Sequence, residues 1–138
     1  MSIALSTAIL VLVILLLIMI SAFFSSAETA LTAASEARIR QLAKTKANRQ
    51  AMRVEKLRKN KEELISTILV GNNLVNILAS ALATSAAISL TGDGGVALAT
   101  LVMTVIIVLF AEVLPKSYAF NNADRFSLKI ALIVQIIV

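Results

Sequence analysis

The 138-residue sequence contains no cysteine and no histidine. The first absence excludes disulfides, thiolate–metal chemistry and cysteine catalysis. The second leaves an imidazole base, or a zinc site of the usual kind, without ligands. Aromatic residues make up only 4% of the chain and tryptophan is missing, so side chains that could stack on nucleic-acid bases are few. Whatever chemistry the chain performs must come from carboxylates, hydroxyls, amides and backbone carbonyls. These are hard oxygen donors, suited to Mg²⁺, Ca²⁺, Na⁺ or water.

What is abundant is apolar surface. Hydrophobic residues are 59% of the sequence and the mean hydropathy is +0.91. A single soluble domain of this length leaves much of its surface in water and cannot hide so much apolar area. Lipid removes that difficulty, and the sequence reads as an all-α membrane protein.

Met1 to Ala27 carries no charged residue, enough for a helix to cross a ~30 Å hydrocarbon core. It lacks the basic n-region of a signal peptide, and its apolar run continues into Phe23 and Phe24, so it reads as a retained span. Leu64 to Gly92 is a second uncharged run, closed by the turn Thr91-Gly92-Asp93-Gly94-Gly95. A third, Val96 to Ala111, is followed at once by Glu112, Pro115 and Lys116. The expected spans are about 3–34, 64–90 and 96–119. The apolar stretch after the polar turn Asn121–Arg125 is too short to cross, and about 124–138 is expected to be an interfacial helix. Because the chain stops within an apolar run, it reads as a piece of a longer protein.

Ten of the 13 basic residues lie between Glu36 and Glu63. Ile39 with Leu42, and Val54 with Leu57, recur at helical spacing, while Lys46–Asn48 is a polar centre. A helix-turn-helix at the membrane surface, over 36–62, is therefore expected. Such a basic segment suits an anionic inner leaflet as partner better than it suits nucleic acid. By the positive-inside rule this segment is cytoplasmic, and the N-terminus and residues 91–95 are outside. In span two, Ala79, Ala83 and Ala87 form a small-residue stripe, the signature of a close helix–helix or dimer contact in lipid.

Three polar groups interrupt the apolar runs. Ser21, Ser25 and Glu28 share one helical face at the inner end of span one. Asn72 and Asn76 stand one turn apart in span two, with Gly71 and Asn73 beside them. Glu112 lies near the end of span three, three residues before Pro115. The derived orientation brings all three groups into the inner half of the bilayer, Asn72 about 12 Å into its span at 1.5 Å per residue. A carboxylate in lipid is costly unless it is paired or used, which marks Glu112. Pro115 has no N–H for the carbonyl of Ala111, which frees that oxygen, and Gly71 admits a close neighbour. Each group also has a structural reading on its own. The serines can bond to preceding carbonyls, the asparagines can tie helices, and Glu28 can pair with Lys116. Taken together, at one depth and with one acid, they point to a cation site.

Ser21-Ala-Phe-Phe-Ser25-Ser-Ala-Glu28, Gly71-Asn72-Asn73-Leu74-Val75-Asn76 and Glu112-Val113-Leu114-Pro115-Lys116, in that order, resemble the transmembrane domain of the CorC/cyclin-M family. The resemblance covers nearly the whole chain. It implies a homodimeric Mg²⁺ transporter whose export of Mg²⁺ is coupled to Na⁺ entry, with an inward-facing acidic cavity. Carried over by motif, the Mg²⁺ ligands are Ser25, Asn72, Asn76 and Glu112, with Ser21 nearby. The family continues into cytoplasmic CBS modules, which these residues do not include. Two other functions compete: a Mg²⁺ sensor without transport, and a dimerising membrane anchor. An enzyme is the weakest reading, since one intramembrane acid lacks a base or nucleophile to work with.

Overall fold

The structure, a computed structural model, describes residues 3–45 and 48–138. It contains α1 (Ile3–Ala33), α2 (Glu36–Thr45), α3 (Arg49–Lys59), α4 (Lys61–Thr91) and α5 (Gly95–Ile106). A π-helical stretch, Ile107–Val113, then leads into α6 (Leu114–Asn121), and α7 (Ala123–Ile137) follows. No strand occurs among the described residues. Three helical segments are long and apolar enough to cross a membrane: Ala4–Ala33, Lys61–Thr91 and Gly95–Asn121. Their apolar side chains stay largely outside the bundle; Leu12, Met19, Leu74, Ile77 and Leu101 are all exposed. In water such a surface would drive association, whereas in lipid it needs no partner.

α1 is the central helix. It packs along α4 on one side and along the π-helical stretch and α6 on another, and its end also meets α7. α4 packs on α5, to which a short turn joins it, but makes no substantial contact with the π-helical stretch or α6. The second and third spans are therefore together at the turn end of the bundle and apart toward the basic end, with α1 between them.

Local chemistry sets the boundaries. Gly92 ends α4 with φ of 78°, a left-handed conformation that favours glycine. At Gly95 a Cβ would stand 2.8 Å from the carbonyl of Ala87, so only glycine lets α5 start this close to α4. α4 begins at Lys61, three residues before the expected span, because Glu62 and Glu63 favour a helix N-terminus. Asn60 separates it from α3 and donates to Glu63 at 2.6 Å. The expected break at Lys46–Asn48 falls partly outside the described residues. Asn48 itself caps α3, its side chain accepting from the backbone N–H of Ala51 at 3.1 Å.

A buried core sits at the basic end, where Leu31, Ile39, Val54, Leu64, Ile68 and Val134 meet. The buried face of α7 is Ala123, Ser127, Ile130, Ala131 and Val134, a stripe at helical spacing that packs on α1 and α3. Polar contacts secure the α1–α2 junction from both sides. Asp124 of α7 accepts from the backbone N–H of Ser35 at 2.6 Å and from Arg38 at 3.2 Å. Arg58 of α3 donates to the carbonyl of Ala34 at 2.9 Å, placing a cation at the C-terminal end of α1.

The small-residue stripe serves packing within the chain at Ala79. Ala79 is buried and Ala83 lies partly buried beside it, in a cluster with Ile18, Met103 and Ala111. Ala79 is thus covered by α1 and the third span, whereas Ala83 and Ala87 stay partly exposed. The other unexpected feature is the π-helical stretch. In that register Leu114 N–H reaches the carbonyl of Leu109. The next donor would be Pro115, opposite Phe110, and proline has none to give. Without that N–H, Pro115 leaves both the carbonyl opposite it in the π register, Phe110, and the one opposite it in the α register that resumes at Leu114, Ala111, without its donor.

Candidate cation site

The site is built on α1, whose Ser21 and Ser25 are one turn apart and fully buried. Ser21 donates its hydroxyl proton to the side-chain oxygen of Asn72 at 2.6 Å, across 51 residues of sequence. Asn72, on α4, is itself buried. Ser25 makes no hydrogen bond at all through its hydroxyl, although that oxygen is buried. Neither serine bonds back to its own helix. That role falls to Ser26, which donates to the carbonyl of Ala22 at 2.7 Å.

Along the α1–α4 seam these groups form a polar layer between two apolar ones. Toward the turn end, Ile18, Ala79 and Met103 close above Ser21 and Asn72, in a cluster that Ala111 joins from the depth of Glu112. Toward the basic end, Ala27, Leu31, Leu64 and Ile68 pack below Ser25. Counted from the basic-end termini of their spans at 1.5 Å per residue, Ser25, Asn72 and Glu112 lie about 12, 17 and 14 Å deep. They share one stratum of the bundle.

Glu112 is half-buried, next to the fully buried Ala111, in the π-helical stretch that packs on α1. Asn76 is half-buried on α4, one turn from Asn72. Neither side chain has a hydrogen-bond or ion-pair partner among the described residues. π-helical turns displace side chains from the α-helical register and recur at functional sites. Here the turn carries the only carboxylate of the third span.

The remaining expected residues divide. Gly71 receives the ring of Phe24 rather than another backbone: a Cβ there would stand 3.2 Å from the ring's Cζ. Asn73 and Lys116 are exposed. Glu28 is half-buried and forms no ion pair with Lys116; the described ion pairs are Arg38–Asp124 and Arg40–Glu36. Pro115 is half-buried and acts through the register of the π turn. Two features lay outside the sequence reading, the π-helical stretch and the orphan state of Ser25. The run Val105-Ile106-Ile107-Val108 ahead of Pro115 was the available signal for the first, since β-branched residues and proline both weaken an α-helix. The second had none.

Among the described residues no three acidic side chains gather as a metal-binding cluster. A cation held here would have one carboxylate, Glu112, with neutral oxygens from serine and asparagine completing the donors.

Comparison with known proteins agrees with this architecture. Residues 12–138 match the Cyclin M transmembrane N-terminal domain. The chain is 54% identical over 100 residues to the UPF0053 inner membrane protein YfjD of Escherichia coli, covering 72% of this chain and 23% of that protein. It is 43% identical over 126 residues to a UPF0053 protein of Haemophilus influenzae, covering 91% of this chain and 29% of that one. A chloroplastic DUF21 domain-containing protein of Arabidopsis thaliana is 43% identical over 106 residues, 77% of this chain and 16% of its own length. The chain thus spans less than a third of each of these relatives. With the match running from residue 12 to the last residue, over all three membrane-crossing helices, the chain belongs to the cyclin M transmembrane N-terminal domain family.

Proposed function

We propose that this chain is the ion-translocating domain of a Mg²⁺ transporter that exports Mg²⁺ in exchange for Na⁺ and works as a homodimer. Its site would be formed by Ser21, Ser25, Asn72, Asn76 and Glu112, open toward the cytoplasm. The observation that carries this reading is the hydroxyl of Ser25, buried without a partner one turn from the Ser21–Asn72 pair. A buried polar group left unsatisfied costs about 1–3 kcal/mol, which a bound ion or its water would recover. The separation of α4 from α6 at the basic end supports an approach from that side. Family membership and the positive-inside distribution of Lys and Arg support the transport role and the orientation.

The chemistry follows from the donor set. Mg²⁺ surrenders its waters reluctantly and requires near-octahedral oxygen geometry. A site with a single carboxylate binds it weakly, and weak binding suits a carrier that must let its cargo go. The test is Mg²⁺ flux into a dye-loaded liposome containing the purified chain, with and without a Na⁺ gradient. Na⁺-dependent flux, lost in Glu112→Gln, is expected. Mg²⁺ binding without flux would make the domain a sensor, and neither would make it an anchor.

A further inference from the structure

At the basic end a cavity of about 330 Å³ opens between α2, α3 and the start of α4. Its walls are Glu36, Ile39, Arg40, Glu55, Arg58, Lys59 and Lys61. We propose that this cavity binds a phosphodiester carrying a hydroxyl or primary ammonium group, the chemistry of a glycerophospholipid headgroup such as phosphatidylglycerol.

The charge on its walls selects an anion. Arg40 is neutralised by Glu36 at 2.8 Å, so that pair contributes little net field. Arg58 is held in place by the carbonyl of Ala34 at 2.9 Å; a neutral oxygen leaves its charge uncompensated. Lys59 and Lys61 flank Asn60 at the α3–α4 junction and make no hydrogen bond or ion pair among the described residues. With four cations against two carboxylates, the cavity is short of negative charge, and a guanidinium fixed beside two mobile ammonium groups suits a phosphate.

The second demand comes from Glu55. Its Oε1 is buried and accepts no hydrogen bond. Inorganic phosphate carries its O–H on the charged group itself, so donor and anion would reach Glu55 together. A phosphodiester whose substituent ends in O–H or N–H instead sets the donor several bonds from its anionic oxygens. That donor meets the carboxylate once Glu55 turns into the cavity it lines. Position supplies the third argument. Glu36 follows the first membrane-crossing segment by three residues, and Lys61 is the first residue of the second. The cavity therefore opens at the level where two spans leave the hydrocarbon, which is headgroup depth. This is a built pocket, distinct from the diffuse attraction of the whole basic segment to anionic lipid.

The experiment is native mass spectrometry of the purified chain, titrated in detergent with phosphatidylglycerol, phosphatidylmethanol (the same charge without the donor) or phosphatidylcholine. One retained phosphatidylglycerol per chain is expected, with phosphatidylmethanol and phosphatidylcholine held more weakly. The double variant Lys59→Gln/Lys61→Gln alters two exposed side chains and should keep its thermal melt while losing roughly tenfold in phosphatidylglycerol affinity. A control with the same charge loss outside the cavity, Lys44→Gln/Arg49→Gln, should retain the lipid. Competition with soluble glycerophosphoglycerol separates the sources: displacement assigns the pocket to soluble phosphodiesters, and resistance assigns it to the membrane lipid. Undiminished retention in the Lys59/Lys61 variant, equal loss in the control, or phosphatidylmethanol binding as tightly as phosphatidylglycerol would overturn the proposal.

Discussion

Ser21 and Asn72 are joined by a buried 2.6 Å hydrogen bond between the first and second membrane-crossing helices, while Ser25, one turn away, has no partner for its hydroxyl. The two serines therefore let structure and binding be tested separately. Ser21→Ala leaves the Asn72 oxygen unsatisfied and should lower stability by about 1–3 kcal/mol in a thermal melt. Ser25→Ala removes a buried hydroxyl that bonds to nothing, so without Mg²⁺ the variant should be more stable by about 1–3 kcal/mol in the same melt. If Ser25 is a ligand, Mg²⁺ affinity should nevertheless drop several-fold in that variant. A Ser25→Ala protein with unaltered Mg²⁺ binding removes Ser25 from the site.

Glu112 is the single carboxylate of the third span and lacks a protein partner among the described residues. Glu112→Gln preserves shape and removes charge. Calorimetry should detect no Mg²⁺ binding to this variant while circular dichroism reports an intact fold. Glu28→Gln should bind as the wild type does, because Glu28 is no deeper than the apolar layer beneath the site. Wild-type affinity in Glu112→Gln would end the assignment.

Ala79 is 1% exposed, against Ile18, Met103 and Ala111. Enlarging it must push α1, α4 and the third span apart. Ala79→Leu is expected to cost about 1–3 kcal/mol of stability, with the oligomeric state in detergent unchanged. A variant that melts normally but changes its oligomeric state would return the stripe to an intermolecular role.

Orientation is open to labelling with an impermeant maleimide in intact cells. Gln50 is exposed on α3, and Gly94 is exposed with open space around an added side chain. Neither position uses a side chain to cap a helix, as Ser35 and Asn48 do. Gly94→Cys should label and Gln50→Cys should not. The reverse pattern inverts the bundle and closes the proposed approach from the cytoplasm.

Hydropathy and charge run along the chain, and what they govern was legible without the fold. Three uncharged runs become three long helices because lipid forces every backbone group to pair within its own segment. The recurrence of Ile39, Leu42, Val54 and Leu57 already contained the amphipathic pair α2 and α3. The ordered Ser, Asn and Glu motifs marked the elements that carry the polar layer. Only the tertiary structure decided how each helix is turned about its axis and which neighbour it meets. That rotation gives Asn72 to Ser21 across 51 residues and leaves Ser25 alone. It turns Ala79 inward and lays Phe24 on Gly71. The setting of Glu112 beside α1 likewise comes from how the third span is held there, although Val105-Ile106-Ile107-Val108 and Pro115 carry a sequence signal for the π register. Helical spacing along a sequence says which residues share a face; it does not say what that face touches, because the touching groups come from distant parts of the chain.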